Sequence, residues 1–225
     1  PKSVEILNSI LNGVDKLNFM TGKWIDFKKQ RVFITRSGYT GEDGFEISIP
    51  NSIVKNFINK VMNNINITLC GLGSRDSLRL EAGLSLYGNE LNEFITPIEA
   101  NLSWAINKER LYDNRLNGYE VLTKQINNGT NIFKVGLKST TKSILRNNMK
   151  LFNHDKKEIG YITSGTYSPN IKTSIAIAYV KKKLFKYNDI NVLIRDKFEN
   201  IQIVELPFIP HNYKKGLKNG WKKIY

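Results

Sequence analysis

The sequence predicts an α+β portion followed by an antiparallel β-barrel. Up to about residue 112, stretches with apolar residues at helical spacing alternate with short strand-like runs. Beyond it the apolar period shortens to two almost throughout. The charge balance changes at the same place. Residues 1–112 carry 13 Lys and Arg against 12 Asp and Glu, whereas residues 113–225 carry 21 against 8. We therefore divide the chain into an α+β domain, 1–112, and a β-barrel domain, 113–225.

Val4, Leu7 and Leu11, with Ile10 beside them, mark the apolar face of a first helix opened by Pro1. Val32, Phe33 and Ile34 lie in a strand over residues 31–35, and Phe45, Ile47 and Ile49 alternate in a second over 45–49. Ile53, Val54, Phe57, Ile58, Val61, Met62 and Ile65 then recur every three or four residues, a helix with Asn51 or Ser52 as its cap. Residues 68–72 read as a short strand in which Cys70 is a buried, inert thiol. A Gly73-Ser74 turn and a helix over 77–82 follow. Thr96-Pro97-Ile98-Glu99 has the Thr cap, first-turn Pro and Glu of a capping box, and predicts a helix whose inner face is Ile98, Leu102, Ala105 and Ile106. The barrel strands are read at 132–137, 175–180, 190–194 and 201–206. Turns at Asn127-Asn128-Gly129, 153–155 and Asn188-Asp189 separate them.

Composition excludes several classes. A hydrophobic share of 40% over 225 residues provides for a folded core. One cysteine rules out an internal disulfide framework, and His154 and His211 stand far apart without ligand spacing, so no metal is expected. No apolar run reaches membrane-spanning length, so no membrane partner is expected. The chain begins at Pro1 rather than Met, so its N-terminal part, with any targeting signal, is expected to be missing. The net charge of +14 is concentrated in lysines such as Lys181-Lys182-Lys183 and Lys214, Lys215, Lys218, Lys222 and Lys223. Such a surface is either simply solvated or a docking face for an acidic partner. The aromatics are scattered and no RNA-binding signature is present, which speaks against nucleic acid.

The most informative run is Arg36-Ser37-Gly38-Tyr39-Thr40-Gly41-Glu42-Asp43-Gly44-Phe45-Glu46. Glycines at i, i+3 and i+6 allow positive φ and close approach of a ligand to the backbone. The spacing is not that of a dinucleotide fingerprint or a P-loop, and a strand rather than a helix follows. Glu46 sits on that strand facing away from Phe45 and Ile47. A second run, Cys70-Gly71-Leu72-Gly73-Ser74-Arg75-Asp76-Ser77-Leu78-Arg79-Leu80-Glu81-Ala82-Gly83, places Arg75 and Arg79 four apart on one helix face. Both could be ordinary surface ion pairs, Arg75 with Asp76 or Arg79 with Glu81.

The two runs together resemble the glycine cleavage T-protein family, the tetrahydrofolate-dependent aminomethyltransferases. The likeness continues through Leu84 to Gly88, Thr96-Pro97-Ile98-Glu99, Thr163-Ser164-Gly165-Thr166-Tyr167-Ser168-Pro169 and Pro207-Phe208-Ile209-Pro210-His211-Asn212-Tyr213. The resemblance implies a folate-binding α/β portion with ferredoxin-like elements and a C-terminal barrel. It implies transfer of the methylene of an aminomethyl group, carried on the lipoyl arm of H-protein, to tetrahydrofolate as co-substrate, with release of ammonia. It places the source compartment in the mitochondrial matrix for a eukaryote and in the cytoplasm otherwise.

On the same ground Glu46 matches the folate-binding glutamate after GEDG, where a carboxylate accepts the pterin's 2-amino and ring N–H donors side by side. Arg75 matches the substrate-contacting arginine and is preferred over Arg79, its guanidinium fork suiting the acceptors of folate. Tyr39 supplies an aromatic face for stacking, and Tyr213 matches a substrate-contacting tyrosine. Asp43 and Asp76 are not taken as catalysts. The family's catalytic aspartate is expected upstream of Pro1, so no catalytic residue is assigned here and this chain alone is expected to be inactive. Three other readings are a folate-binding module of a sarcosine or dimethylglycine dehydrogenase, a non-catalytic folate-binding protein, and a basic β-barrel that binds nucleic acid.

Overall fold

The structure, a computed structural model, describes residues 2–107, 109–185 and 190–215. Pro1, the Asn188-Asp189 turn and Lys218, Lys222 and Lys223 lie outside these. Contacts divide the chain into two compact units. One holds the residues up to Leu78 together with the segment that starts at Pro210, and the other is Arg79–Ile209. The composition shift at 112/113 therefore falls inside the second unit.

In the first unit, helix α1 (Ser3–Ile10) and helix α2 (Asn51–Met62) accompany a three-stranded antiparallel sheet, β1 (Gly22–Phe27), β2 (Gln30–Thr35) and β3 (Glu46–Ser48). Leu7, Leu11, Val14, Leu17, Phe27, Val32, Ile34, Ile53 and Phe57 form its core. The sequence reading missed β1. Its hairpin to β2 turns through Lys28 and Lys29, at φ +48° and +63°. That conformation is normally signalled by Asn-Gly or Asp-Gly, and two lysines give no such signal. The cap expected at Asn51 or Ser52 is absent: Pro50 holds the cap position, and the Ser52 hydroxyl bonds Gln30 Oε1 at 3.0 Å instead.

Two further expectations are corrected in this unit. Residues 68–72 pair with no strand among the described residues, and helix α3 (Leu72–Glu81) begins where a turn at Gly73-Ser74 was read. Arg75 N–H already closes onto Gly71 O at 3.3 Å, so the glycine is accommodated in the first helical turn. Cys70 is exposed rather than buried. Leu69 and Leu72, which suggested an apolar setting for it, are themselves 76% and 83% exposed.

The second unit is built on a closed six-stranded antiparallel barrel. Its strands are β4 (Ile132–Ser139), β5 (Lys150–Phe152), β6 (Glu158–Ser168), β7 (Thr173–Lys181), β8 (Asn191–Ile194) and β9 (Lys197–Val204). They run in the order β4-β7-β6-β5-β8-β9, and β9 pairs back onto β4. Closure leaves no free edge for another chain to pair with. Val135, Leu137, Leu151, Ile159, Ile162, Ala176, Ala178, Val180, Val192 and Ile201 fill the interior. At Gly160 of β6 a Cβ would lie 2.0 Å from Tyr179 O, so this crossing admits only glycine.

The all-strand reading after residue 112 needs one amendment: α4 (Tyr119–Asn128) precedes the barrel, with Leu122 as its one buried residue. A single buried position leaves no periodic stripe to read. Conversely, the capping box at Thr96 forms, but the helix does not. Thr96 N–H donates to Glu99 Oε2 at 2.9 Å and Glu99 N–H to Thr96 Oγ1 at 3.2 Å. The turn then stops at Asn101, which sits at φ +56°.

Candidate functional site

The glycine-rich loop between β2 and β3 is built around a buried arginine. Arg36 is 3% exposed, and its Nε donates to Asp43 Oδ1 at 2.8 Å while its second arm pairs with Asp43 Oδ2. The remaining guanidinium nitrogen donates to Leu17 O at 2.8 Å. The Arg36 backbone bonds Thr21 O and Met20 N–H, both at 2.9 Å. Ser3 Oγ donates to Asp43 O at 3.0 Å. The loop is thus fastened to the segment before β1 and to α1. Of the three loop glycines, Gly41 takes a positive φ, +77°, at a buried position.

Asp43 therefore belongs to the scaffold. Its hydrogen bonds to the Arg36 guanidinium hold its carboxyl below the usual carboxylate range. A proton-transfer role would need the opposite perturbation. Arg36 went unnoticed in the sequence as a structural element. Its only signal was that it opens a motif dense in acids.

Around this pinned loop stand the predicted site residues. Glu46 opens β3 directly opposite Thr35 of β2 and is exposed; Ser37 Oγ donates to its Oε2 at 2.7 Å. Tyr39 is half-buried, and the Arg75 guanidinium carbon lies 5.0 Å from its ring centroid. The structure thus brings together two residues that lie 36 apart in sequence, the predicted arginine and the predicted aromatic, in a cation–π contact.

Tyr213 arrives with the C-terminal segment. Asn212 N–H donates to Gly41 O at 2.8 Å, and its side-chain amide donates to Glu42 Oε1 at 3.0 Å. The Tyr213 ring stacks on Phe19, with centroids 4.0 Å apart and planes 5° off parallel, and His211 lies 4.9 Å away. Burial, and then the nearby Glu42 carboxylate, push the Tyr213 phenol up, so it remains protonated. Sequence reasoning missed Phe19, which has no neighbouring motif, and Asn212, which sat unremarked inside one.

Arg79, the second arginine, is not a surface residue. It pairs with Glu90 at 2.8 Å, with side chains 1% and 0% exposed, and donates to Ser164 Oγ at 2.8 Å. The surface pair with Glu81 is replaced by this buried one; Glu81 accepts instead from Ser168 Oγ and from the Asn170 amide at 2.7 Å. A cavity of about 310 Å³ is lined by Arg110, Asp113, Arg115 and Leu116. None of these is a predicted site residue, and Arg115 is paired with Asp113 at 2.8 Å. Among the described residues no group of three or more His, Cys, Asp and Glu could hold a metal, and no helix is long and apolar enough to cross a membrane.

The fold and these residues can be set beside known proteins. Residues 1–110 match the family model of the GCVT N-terminal domain, and residues 134–209 match that of the glycine cleavage T-protein C-terminal barrel domain. Mitochondrial aminomethyltransferase from Flaveria trinervia is 42% identical over 207 residues, 90% of this chain and 50% of that protein. Aminomethyltransferase from Thermosipho melanesiensis is 40% identical over 95% of this chain and 57% of its own length. The crystal structure of glycine cleavage system aminomethyltransferase T from Bartonella henselae superposes with a TM-score of 0.86 at 34% identity, over 94% of this chain and 58% of the other. The chain spans about half the length of the curated relatives it matches.

The Arg36–Asp43 pair generates a pH-dependent prediction. Asp43→Asn leaves a buried guanidinium without its counter-charge and should cost roughly 3–5 kcal/mol of stability at pH 7. Because the folded carboxyl titrates below its ordinary value, the pair's contribution is present above about pH 4 and is lost as pH falls through the depressed value. Urea unfolding of both proteins across that range should show the two curves converging in acid.

Proposed function

Because the chain belongs to the glycine cleavage T-protein family, we propose that it is the pterin-gripping and barrel portion of a tetrahydrofolate-dependent aminomethyltransferase. The observation that supports this reading best is the disposition of three side chains around one pinned loop: Tyr39 in it, Glu46 at the start of β3, and Arg75 reaching in from α3. Glu46 offers an exposed carboxylate at the loop exit, and Tyr39 holds the Arg75 guanidinium over its ring at 5.0 Å.

A reduced pterin presents a 2-amino group and an adjacent ring N–H as parallel donors. The two oxygens of a carboxylate accept such a pair in bidentate fashion. Glu46 is the residue we assign to that contact. Arg75 is exposed and donates to an acceptor of the same ligand, a carbonyl or the glutamate tail. Tyr39 gives the flat ring system a face, and Tyr213, protonated and backed by Phe19, provides a phenolic donor.

The reaction proposed for the whole protein is passage of the methylene unit from aminomethyl-lipoyl H-protein to tetrahydrofolate. Ammonia leaves, and 5,10-methylenetetrahydrofolate and the reduced lipoyl arm remain. The folate nitrogen is the nucleophile, and the residues of this chain contribute binding and orientation. No residue here is assigned to proton transfer. Lysines of the barrel half, among them Lys181, Lys182 and Lys183, present positive charge to an acidic H-protein. For a eukaryotic source the mitochondrial matrix is the proposed compartment; the Flaveria relative is named as mitochondrial.

Two measurements test this. Glu46→Ala should weaken binding of folinate by about 10-fold or more, the loss of charged hydrogen bonds; equal affinity by titration calorimetry would sink the assignment. H-protein binding should weaken several-fold when salt rises from roughly 50 to 300 mM, as exposed charges are screened. Binding that ignores salt would count against an electrostatic dock.

A further inference from the structure

Glu46 does not stand alone on its strand. The β2–β3 register sets it opposite Thr35, and two residues beyond Thr35 the chain places Ser37 on the same side. Ser37 Oγ is 2.7 Å from Glu46 Oε2, and Thr35 Oγ1 is 2.7 Å from Ser37 Oγ. A hydroxyl has one hydrogen to give. That of Ser37 goes to the carboxylate, which has none, so the hydrogen between the two hydroxyls must come from Thr35. The chain therefore has one direction, Thr35 to Ser37 to Glu46.

We infer that Ser37, oriented by Thr35, is a positioning residue that fixes the Glu46 carboxylate for a ligand with two parallel donors. This rests on the assignment of Glu46 to the pterin. The donation occupies one lone-pair direction of Oε2, and among the described residues no hydrogen bond to Oε1 accompanies it, so each oxygen keeps an acceptor site for the ligand. It also fixes the plane of a carboxylate that, being exposed at the start of a strand, would otherwise rotate. A carboxylate already oriented loses less rotational freedom when the ligand binds. Thr35 polarises the Ser37 hydroxyl as the first member of the chain. The effect is confined to the ligand's pterin end, because the hydrogen bonds of the two hydroxyls run to each other and to Glu46.

The test uses the intact protein and two probes, folinate and p-aminobenzoylglutamate, which lacks the pterin. Ser37→Ala should weaken folinate about 5-fold, within the range of one hydrogen bond, and leave p-aminobenzoylglutamate unchanged. Ser37→Thr, which keeps the hydroxyl, should restore folinate affinity. Thr35→Val, nearly isosteric, should give a smaller loss on folinate alone. Equal weakening of both probes by Ser37→Ala, or no rescue by threonine, would overturn the positioning role in favour of plain loop support. If Glu46→Ala weakens folinate and Ser37→Ala does not, the inference fails while the assignment of Glu46 stands. If Glu46→Ala itself has no effect, the assignment fails first.

Discussion

A charge that cannot be left alone organises the first unit. The Arg36 guanidinium is 3% exposed, and burying it without partners would cost several kcal/mol. Its side-chain partners come from two pieces of chain, Asp43 from the far side of the glycine loop and the Asp15 and Leu17 carbonyls from the segment before β1, and its backbone pairs with Met20 and Thr21 of that same segment. Satisfying one side chain therefore fixes the path of the loop relative to the sheet. The glycine at 41 follows from this, because a loop drawn that tightly must turn through positive φ at a buried point. Tyr39 and Glu46 are what the fastened loop has left to present.

The second unit solves a similar problem with another buried pair. Glu90 is 0% exposed and accepts from Arg79 at 2.8 Å, from Leu86 N–H at 2.9 Å and from Thr163 Oγ1 at 2.6 Å, while its carbonyl takes the Tyr179 phenol at 2.9 Å. Thr163 and Tyr179 lie on β6 and β7, so the 84–91 segment is held against the barrel wall by fully paired polar groups. Burial and the Glu90 charge push the Tyr179 phenol up, which favours the protonated, donating form. Such pairs add little net stability over apolar packing, but removing one partner is expensive.

What could be read from the sequence follows the strength of local signals. The glycine loop, its flanking strands, α2 and four of the six barrel strands announce themselves through φ requirements or strict apolar periods. The rest was hidden for identifiable reasons. The β1–β2 hairpin turns on two lysines rather than on Asn-Gly. A complete capping box at Thr96 did not make a helix, because Asn101 reverses the chain one turn later. Cys70 looked buried among leucines that are in fact exposed. The charge partner of Arg79 was misjudged because sequence shows neighbours: it reaches Glu90, eleven residues on, past Glu81. Glu46, Tyr39, Arg75 and Tyr213, the residues proposed for the site, were singled out through motifs. Phe19, Asn212 and the Ser37 donation were not, since each acquires meaning only from strand register or from the return of the C-terminal segment.

The central claim is that Glu46 reads the 2-amino edge of a pterin. Its most direct test is calorimetric titration of folinate and a 2-deamino analogue into the parent protein and the Glu46→Gln variant. Removal of the ligand's amino group should weaken binding to the parent by about 10-fold, the cost of one charged hydrogen bond, and should scarcely affect the variant. The same penalty in both proteins would mean that the amino group is recognised elsewhere, and the account would be wrong.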